Sequence, residues 1–206
     1  MAGSYQQQTT SGYDLYEVIS AFQKAIRRGE EYNALYWASE IDKSNFSGFL
    51  WNRIKIIAVE DIGLAAPGLV ADINALFEWW TQWKKDKKES EGIFIVQAVC
   101  LLARAPKSRM TDHAVCLFWQ DRATLPRLEI PDEALDKHTR RGKSMKRGFD
   151  HFVEEASKLN NEAVGVANPY YDLYLVGRRN HYNLDGNGKV AATDPGQANL
   201  FDDPNW

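Results

Sequence analysis

Residues 15–29, which read LYEVISAFQKAIRRG, decide the fold of this chain. Their apolar side chains recur at steps of three and four residues, which places them on one face of a helix ending near Gly29. No alternation of period two appears before residue 170. The same helical spacing recurs in residues 35–41, 46–58, 69–80 and 93–103, and again after Pro106. The body of the chain is therefore predicted to be an all-α bundle.

The helix predicted over residues 93–103 is apolar nearly all round, so we expect it in the middle of the bundle. Pro67 suits the first turn of the helix predicted over residues 69–80, because a residue in the first turn has no helical hydrogen bond that its missing N–H group would remove. Cys100 and Cys116 lie in apolar helical stretches without metal or redox spacing. Reduced core thiols are the favoured interpretation, and they are typical of a cytosolic protein.

Composition and net charge limit the kinds of protein that this chain can be. A chain of 206 residues with 44% hydrophobic content can bury one sizeable core, which predicts one main domain. The formal charge of -3 gives no global field for binding a polyanion, so any nucleic-acid contact must be local. The first residues are rich in Gln, Thr and Ser and lack the features of a signal peptide or membrane anchor.

Shifts in composition predict four parts of the chain. A polar leader that we expect to be flexible precedes the helical domain, and a segment containing Pro126 and Pro131 should run extended before a basic helical region broken near Gly142 and Gly148. After residue 160 the composition turns to Asn, Gly, Asp and Pro with isolated aromatic residues, which favours a largely irregular tail. The predicted parts are residues 1–12, 13–123, 124–160 and 161–206.

Three segments carry a resemblance to a known family. They are ISAFQKAIRRG at 19–29 with NALYW at 33–37, AVEDIGLA at 58–65 with Pro67, and LLARAPKS at 101–108. In order and spacing they resemble the C-terminal domain of the replication-associated recombination protein A family, the Mgs-type clamp-loader-like AAA+ ATPases, over about residues 17–120. The motif residues, to which we assign a structural role, are Gln23, Lys24, Arg27, Tyr36, Glu60, Asp61, Gly63, Pro67, Pro106, Lys107 and Ser108.

The resemblance implies an all-helical, collar-like domain over residues 13–123 that mediates tetramer assembly in a protein acting at stalled replication forks. Family members carry an upstream ATPase module, whereas here only the short polar leader precedes the domain. Gly142-Lys143-Ser144 does not complete a phosphate-binding loop, because the glycine needed five positions earlier is Lys137. We therefore expect no ATPase activity and no cofactor. The region after Thr124 follows the family poorly.

The acidic and basic motif residues also have plain structural interpretations. Glu60 and Asp61 could serve metal binding or acid–base chemistry, but capping of the next helix or pairing with Arg53 or Lys55 is favoured. Lys107 with the serine after it could bind a phosphate at a helix start, and helix capping is again favoured.

A metal site is the weakest hypothesis. Asp112-His113 and Asp150-His151 could form a metal centre together with His138 and His181, and the two Asp-His pairs would be the basis of a metal-dependent nuclease. No histidine pair has the i, i+4 spacing of a helical zinc site, so scattered surface histidines are favoured and no metal is expected.

Two basic stretches are candidates for contact with nucleic acid. Lys84, Lys85, Lys87 and Lys88 follow Trp79, Trp80 and Trp83. The second and denser run consists of Lys137, His138, Arg140, Arg141, Lys143, Lys146 and Arg147. Basic side chains release counterions when they meet phosphate, and an exposed indole can stack on an unpaired base. A solvated helix end explains the first stretch equally well, whereas the second is the stronger candidate for DNA or RNA.

The end of the chain offers a separate hypothesis. Gln197-Ala198-Asn199-Leu200-Phe201 resembles the short peptide by which bacterial replication proteins dock on the sliding clamp, with Gln197 in a polar niche and Leu200 and Phe201 in an apolar pocket. Residues 202–206 also resemble the acidic, hydrophobic-tipped tail of single-stranded-DNA-binding proteins. The alternative is a tail that folds onto its own bundle.

The sequence thus predicts a non-enzymatic module of DNA replication, recombination or repair. Its expected partners are further copies of itself or a replication ATPase or helicase, with a sliding clamp and DNA as further candidates, and no membrane. A cytoplasmic, nucleoid-associated location would follow. The runner-up is a direct nucleic-acid binder that uses the basic run 137–147.

Overall fold

The computed structural model describes residues 7–88 and 91–182, and these residues are predominantly helical. Within them the only β pairing is an isolated bridge between Gln8 and Asp14. The all-α prediction is confirmed. The chain divides into two compact units, unit 1 up to Pro126 and unit 2 from Arg127. The helices of unit 1 are α1 (Leu15–Arg28), α2 (Glu31–Lys43), α3 (Ser47–Ile57), α4 (Leu69–Lys85), α5 (Gly92–Arg104) and α6 (Met110–Val115).

Local chemistry sets both ends of α1. The Asp14 carboxylate accepts hydrogen bonds from the backbone N–H groups of Tyr16 at 2.9 Å and Glu17 at 3.0 Å, as an N-cap should. At the other end Gly29 adopts φ 73°, a left-handed conformation that glycine supplies without strain. The apolar face between these caps, with Phe22 at its centre, is buried in the core. The predicted helix therefore forms with its predicted end.

Two features of unit 1 are irregular. A π-helical turn, Ala58–Ile62, extends α3, and a second one, Cys116–Gln120, extends α6. Pro67 lies in the turn that precedes Leu69, the first residue of α4, so it sits just before the helix and not in its first turn.

The core of unit 1 forms around α5. This helix contacts α1, α2, α3 and α4. The fully buried Trp51 of α3 packs against the rings of Phe77 and Trp80 at centroid distances of 5.4 and 5.6 Å. One flank of α5, with Ile93 and Val96, nevertheless faces outward. The helix that we expected in the middle of the bundle thus contacts four neighbouring helices, which enclose only part of its circumference.

Residues 7–12 belong to the segment that we expected to be a flexible leader. Instead, Ser11 donates from its N–H and hydroxyl groups to the two carboxylate oxygens of Glu40, at 3.1 and 2.9 Å. The N–H group of Thr10 donates to the Ser44 hydroxyl at 2.8 Å, and Thr9 is buried. These contacts fix the described part of the leader on the end of α2.

Unit 2 is built from short helical pieces. They are α7 (Arg140–Ser144), α8 (Phe149–His151), which continues into a π-helical turn at Phe152–Ala156, and α9 (Tyr171–Tyr182). The last of these lies in the segment that we predicted to be irregular. Tyr174 of α9 packs against the buried Phe149 at a ring distance of 5.8 Å, so an aromatic residue that looked isolated has a partner. None of the helices in the described residues is long and apolar enough to cross a membrane.

Candidate interaction sites

The three motif segments meet at Asp61, whose side chain is fully buried. Its carboxylate accepts from Gln23 Nε2 at 2.9 Å and from Arg27 Nε at 2.6 Å, both on α1. Its backbone carbonyl accepts from the N–H group of Ser108, in the loop before α6, at 2.9 Å. Residues that lie far apart in the sequence thus hold three elements together through one side chain and its backbone.

Further charges complete this arrangement, which we call the motif cluster: Gln23, Arg27, Glu60, Asp61 and Arg109. Arg27 Nη2 donates to Glu60 Oε1 at 3.1 Å. Arg109 Nη2 lies 3.7 Å from the same oxygen, and its Nε lies 3.8 Å from Asp61 Oδ1. The hydrogen bond with Asp61 raises the pKa of the Arg27 guanidinium above its usual value. The carboxylates are therefore neutralised from within the protein.

The predicted partners of the two carboxylates, Arg53 and Lys55, are wrong. Arg53 Nη1 donates to Gln23 Oε1 at 2.9 Å and so supports the cluster from behind. The ammonium group of Lys55 lies 3.1 Å from the centre of the Phe77 ring. Sequence proximity on α3 suggested these pairs, whereas the fold brings arginines from α1 and from the loop before α6.

Lys107 closes the end of α5. Its ammonium group donates to the backbone carbonyls of Leu102 and Ala103, each at 3.0 Å, and also to that of Ala105. These carbonyls belong to the last turn of the helix, where a cation is favourable. Burial lowers the pKa of this ammonium. The third motif, after Pro106, therefore supplies a C-terminal cap in this structure.

The remaining motif residues shape turns and the surface. Gly63 has φ 50° and ψ −130°, and a Cβ atom there would lie 3.2 Å from Thr111 Oγ1. Tyr36 is exposed, and its hydrogen bond with Tyr13 raises its pKa. Lys24 donates to the hydroxyl of Ser20 one turn earlier on α1.

The basic run 137–147 divides into two sets in unit 2. Arg147 donates to both carboxylate oxygens of Asp132, at 2.6 and 2.7 Å, and to the backbone carbonyl of Leu135 at 3.0 Å. His138 Nδ1 lies 2.7 Å from Asp136 Oδ2, and this hydrogen bond lowers the pKa of the aspartate. The Lys137 ammonium lies 5.2 Å from the centres of the Phe149 and Phe152 rings. These three basic residues take part in the packing of unit 2.

The other four basic residues are exposed, and among the described residues none forms an ion pair. We call them the basic helix surface: Arg140, Arg141, Lys143 and Lys146. The backbone beside them is tightly packed, because a Cβ atom on Gly142 would lie only 1.8 Å from the carbonyl oxygen of Asp136. Since this close approach fixes the inner side of α7, its charged side chains are left on the outer side.

Comparison with known proteins identifies the family. The MgsA AAA+ ATPase C-terminal family matches residues 30–191. The chain belongs to this family. The match includes both units, so the expectation that the region after Thr124 follows the family poorly is wrong. Unit 2 consists of short helical pieces joined by loops, and such pieces carry only a weak periodic pattern in the sequence.

Curated relatives agree with this assignment. The replication-associated recombination protein A of Bacillus subtilis is 29% identical over 136 residues, which are 66% of this chain and 32% of that protein. The Escherichia coli K12 protein of the same name is 28% identical over 141 residues, 68% of this chain and 31% of that protein. The Haemophilus influenzae protein is 29% identical over an equal length, again 68% of this chain and 31% of that protein. The chain therefore spans about a third of the length of the relatives that it matches.

This member of the MgsA C-terminal family also carries a surface of tryptophans and lysines on the second half of α4. Trp80 is buried, but Trp79 is 57% exposed and Trp83 is 36% exposed. Both exposed indoles contact Phe94 at the start of α5, at ring distances of 6.3 and 5.6 Å. The helix ends in Lys84 and Lys85, and two more lysines follow at 87 and 88. We call this the tryptophan–lysine surface.

A second exposed surface was not singled out from the sequence. The π-helical turn after α6 carries Leu117, Phe118 and Trp119, all exposed, the last to 78%. We call these three residues the outer apolar turn. Their apolar character predicted a helix with a buried face, and no sequence signal distinguished burial in the core from exposure.

Those remaining candidate residues that the structure describes do not come together in a site. Asp112 pairs with Arg109, and the other Asp-His pair belongs to unit 2. Among the described residues, no group of three or more potential metal ligands comes together. The side chain of His181 and the whole clamp-type peptide, with Gln197, Leu200 and Phe201, lie outside the described residues.

Proposed function

We propose that this chain is a non-enzymatic module of DNA replication, recombination or repair, which acts by self-association and by contact with a replication ATPase or helicase. The observation that carries the proposal is the closed motif cluster. Its central carboxylate is fully buried and bound by Gln23 and Arg27, so this carboxylate is not open to a ligand. The motif residues Gln23, Arg27 and Asp61 therefore support the packing of the bundle.

The names of the relatives support the biological setting. Proteins called replication-associated recombination protein A match this chain over about two thirds of its length. The matched part is about a third of each relative. A module of this kind contributes contacts, and its catalytic partner is a replication ATPase.

The outer apolar turn supports a role in association. Large exposed apolar side chains that lie side by side mark interaction surfaces in soluble proteins, and tryptophan is prominent among the residues that dominate binding energy. Phe118 and Trp119 are adjacent in sequence and both are mostly open to solvent. We expect them to be covered in the assembled state.

Light scattering after size-exclusion chromatography tests this proposal. The unmodified chain should elute as an oligomer at micromolar concentration, and Phe118→Ser with Trp119→Ser should shift it to the monomer. Tyr32→Ser is the matched control, because Tyr32 is an equally exposed aromatic residue on α2. A wild-type chain that remains monomeric with and without its ATPase partner, or ATP hydrolysis that co-elutes with the pure chain, would refute the proposal.

The alternative function is direct binding of nucleic acid through the basic helix surface. It is favoured by one observation, the four exposed basic side chains that no ion pair occupies among the described residues. Binding would weaken steeply with added salt, and Arg140→Glu with Arg141→Glu would abolish it. Arg28→Glu, which reverses the charge of an exposed arginine on α1, is the control for a charge reversal outside this surface.

A further inference from the structure

The second half of α4 presents planar rings to solvent in a regular arrangement. Trp79 and Trp83 are four residues apart, so they lie on the same side of the helix one turn from each other. Phe94 packs against both indoles from α5, with interplanar angles of 62° and 71°. A rigid support therefore holds Trp79 in place while more than half of its surface remains open.

Positive charge surrounds these rings. Four of the five residues from 84 to 88 are lysines, and the exception is Asp86, whose carboxylate lies 3.8 Å from Lys88 Nζ. The Lys88 ammonium also lies 4.4 Å from the centre of the Trp83 ring, and that of Lys84 lies 4.7 Å from the Trp80 ring. In the sequence, Glu78 lies six residues before this stretch, and Glu89 and Glu91 follow it. The ammonium groups of Lys84 and Lys88 thus lie next to the tryptophan rings of this surface.

We propose that the tryptophan–lysine surface is a binding site for single-stranded nucleic acid, with an unpaired base stacked on Trp79 and the adjacent phosphates near Lys84 and Lys88. Stacking needs an exposed aromatic face and tolerates any base, because every base has a π-face. The lysines supply attraction to the backbone by counterion release. This site is separate from the basic helix surface of unit 2, and it does not depend on self-association.

An acidic peptide fits these observations less well. Acidic motifs are typically recognised by clusters of arginine, whose guanidinium groups bind carboxylates in a bidentate way, whereas the basic residues of this surface are all lysines. Other peptides are recognised by strand addition to a sheet edge, by a groove for a helix, or by aromatic grooves that fit polyproline. The backbone N–H groups of α4 are used within the helix, and the described residues of unit 1 contain no sheet edge. Flat indoles beside flexible ammonium groups match alternating bases and phosphates better.

Fluorescence anisotropy with a labelled oligothymidylate of about 20 nucleotides tests the site on the full-length chain. Trp79→Ala should weaken binding roughly tenfold, which is typical of removing one base–aromatic stack. Lys84→Gln with Lys88→Gln should reduce the slope of log affinity against log salt by about 0.7 for each phosphate that the lysines no longer neutralise. An oligouridylate of equal length shows whether RNA binds as well as DNA, and a blunt duplex should bind more weakly than either.

Two controls locate the effect. Trp119→Ala removes a more exposed indole elsewhere in unit 1 and should leave oligothymidylate binding unchanged. Light scattering should give the Trp79→Ala chain the wild-type mass. The proposal is overturned if the wild type does not bind the oligonucleotide at low salt, or if Trp79→Ala binds as tightly as Trp119→Ala. Displacement by poly-glutamate as effective as by unlabelled oligonucleotide would also overturn it in favour of an acidic partner.

Discussion

A fully buried carboxylate such as Asp61 is unfavourable unless hydrogen bonds and positive charge compensate it. Gln23 and Arg27 provide that compensation from α1, and Arg109 adds a more distant charge. The sequence indicated that these residue types matter, through the resemblance. It could not indicate which arginine reaches which carboxylate, because that depends on how distant segments pack.

Replacement of Arg27 by alanine should lower the free energy of unfolding of unit 1 by about 3 kcal/mol, because it leaves a buried carboxylate without its closest cation. Urea titration followed by tryptophan fluorescence is the suitable measurement, since six of the seven tryptophans lie before Pro126. Arg28→Ala, at the exposed neighbour, should change stability by less than about 0.5 kcal/mol. Equal effects of the two substitutions would show that the cluster contributes nothing specific.

Gly63 gives a second test at the level of one residue. Its backbone lies outside the regions that L-residues occupy, and a Cβ atom would press on Thr111. Gly63→Ala should therefore cost about 1–3 kcal/mol. Gly48→Ala, inside α3 with open space around it, should leave stability unchanged or raise it by up to about 1 kcal/mol. The difference between their urea midpoints is the measurement, and a tolerated Gly63→Ala would contradict the argument.

At the scale of elements, local periodicity predicted the positions of the helices, whereas contacts between residues far apart in the sequence could not be predicted from it. The helices α1 to α5 appear where apolar spacing placed them, since each is decided by residues within a few turns. The attachment of residues 7–12 depends instead on Glu40, which is 29 positions from its partner Ser11. Polar composition predicts flexibility there because no local signal describes a distant carboxylate.

That attachment should depend on pH. Hydrogen bonds from Thr9 and then from Ser11 lower the pKa of Glu40. A carboxyl group whose pKa is lowered by folding stabilises the folded state above its unfolded pKa, about 4.3 for glutamate, and this stabilisation is lost as pH falls through the folded pKa. Acidification below about pH 4.3 should therefore release residues 7–12 from α2 before the bundle unfolds.

Nuclear magnetic resonance can follow this release through the amide signals of Thr10 and Ser11. In the wild type they should move together as the carboxylate of Glu40 is protonated, and in Glu40→Gln the titration should disappear. Glu78→Gln, on α4, serves as the control and should titrate as the wild type does. Amide signals that titrate unchanged in Glu40→Gln would assign the transition to another group.

At the scale of the whole molecule, the sequence pattern predicted which residues build the bundle of unit 1, but not which side chains the packing of that bundle leaves exposed. The buried apolar side chains of unit 1 lie between Leu15 and Ala103, so the pattern of that region was sufficient to recognise the bundle. Exposure is a property of the finished packing. The pattern could not show that Trp79 lies outside while Trp80, its neighbour, lies inside.

The division of the chain at Pro126 predicts that unit 1 folds without unit 2. A fragment ending at Pro126 keeps the whole buried core, the motif cluster and the Lys107 cap. It should unfold cooperatively in urea at about the midpoint of the full-length chain when tryptophan fluorescence is followed. A fragment ending at Arg104 keeps the core but removes the cap on α5, the hydrogen bond from Ser108 to Asp61, and the charge of Arg109. It should be less stable by about 2–4 kcal/mol, the sum expected for a few hydrogen bonds of which some involve charge. Failure of the longer fragment to fold would mean that the core needs unit 2, and equal stability of both fragments would mean that the third motif does not support the bundle.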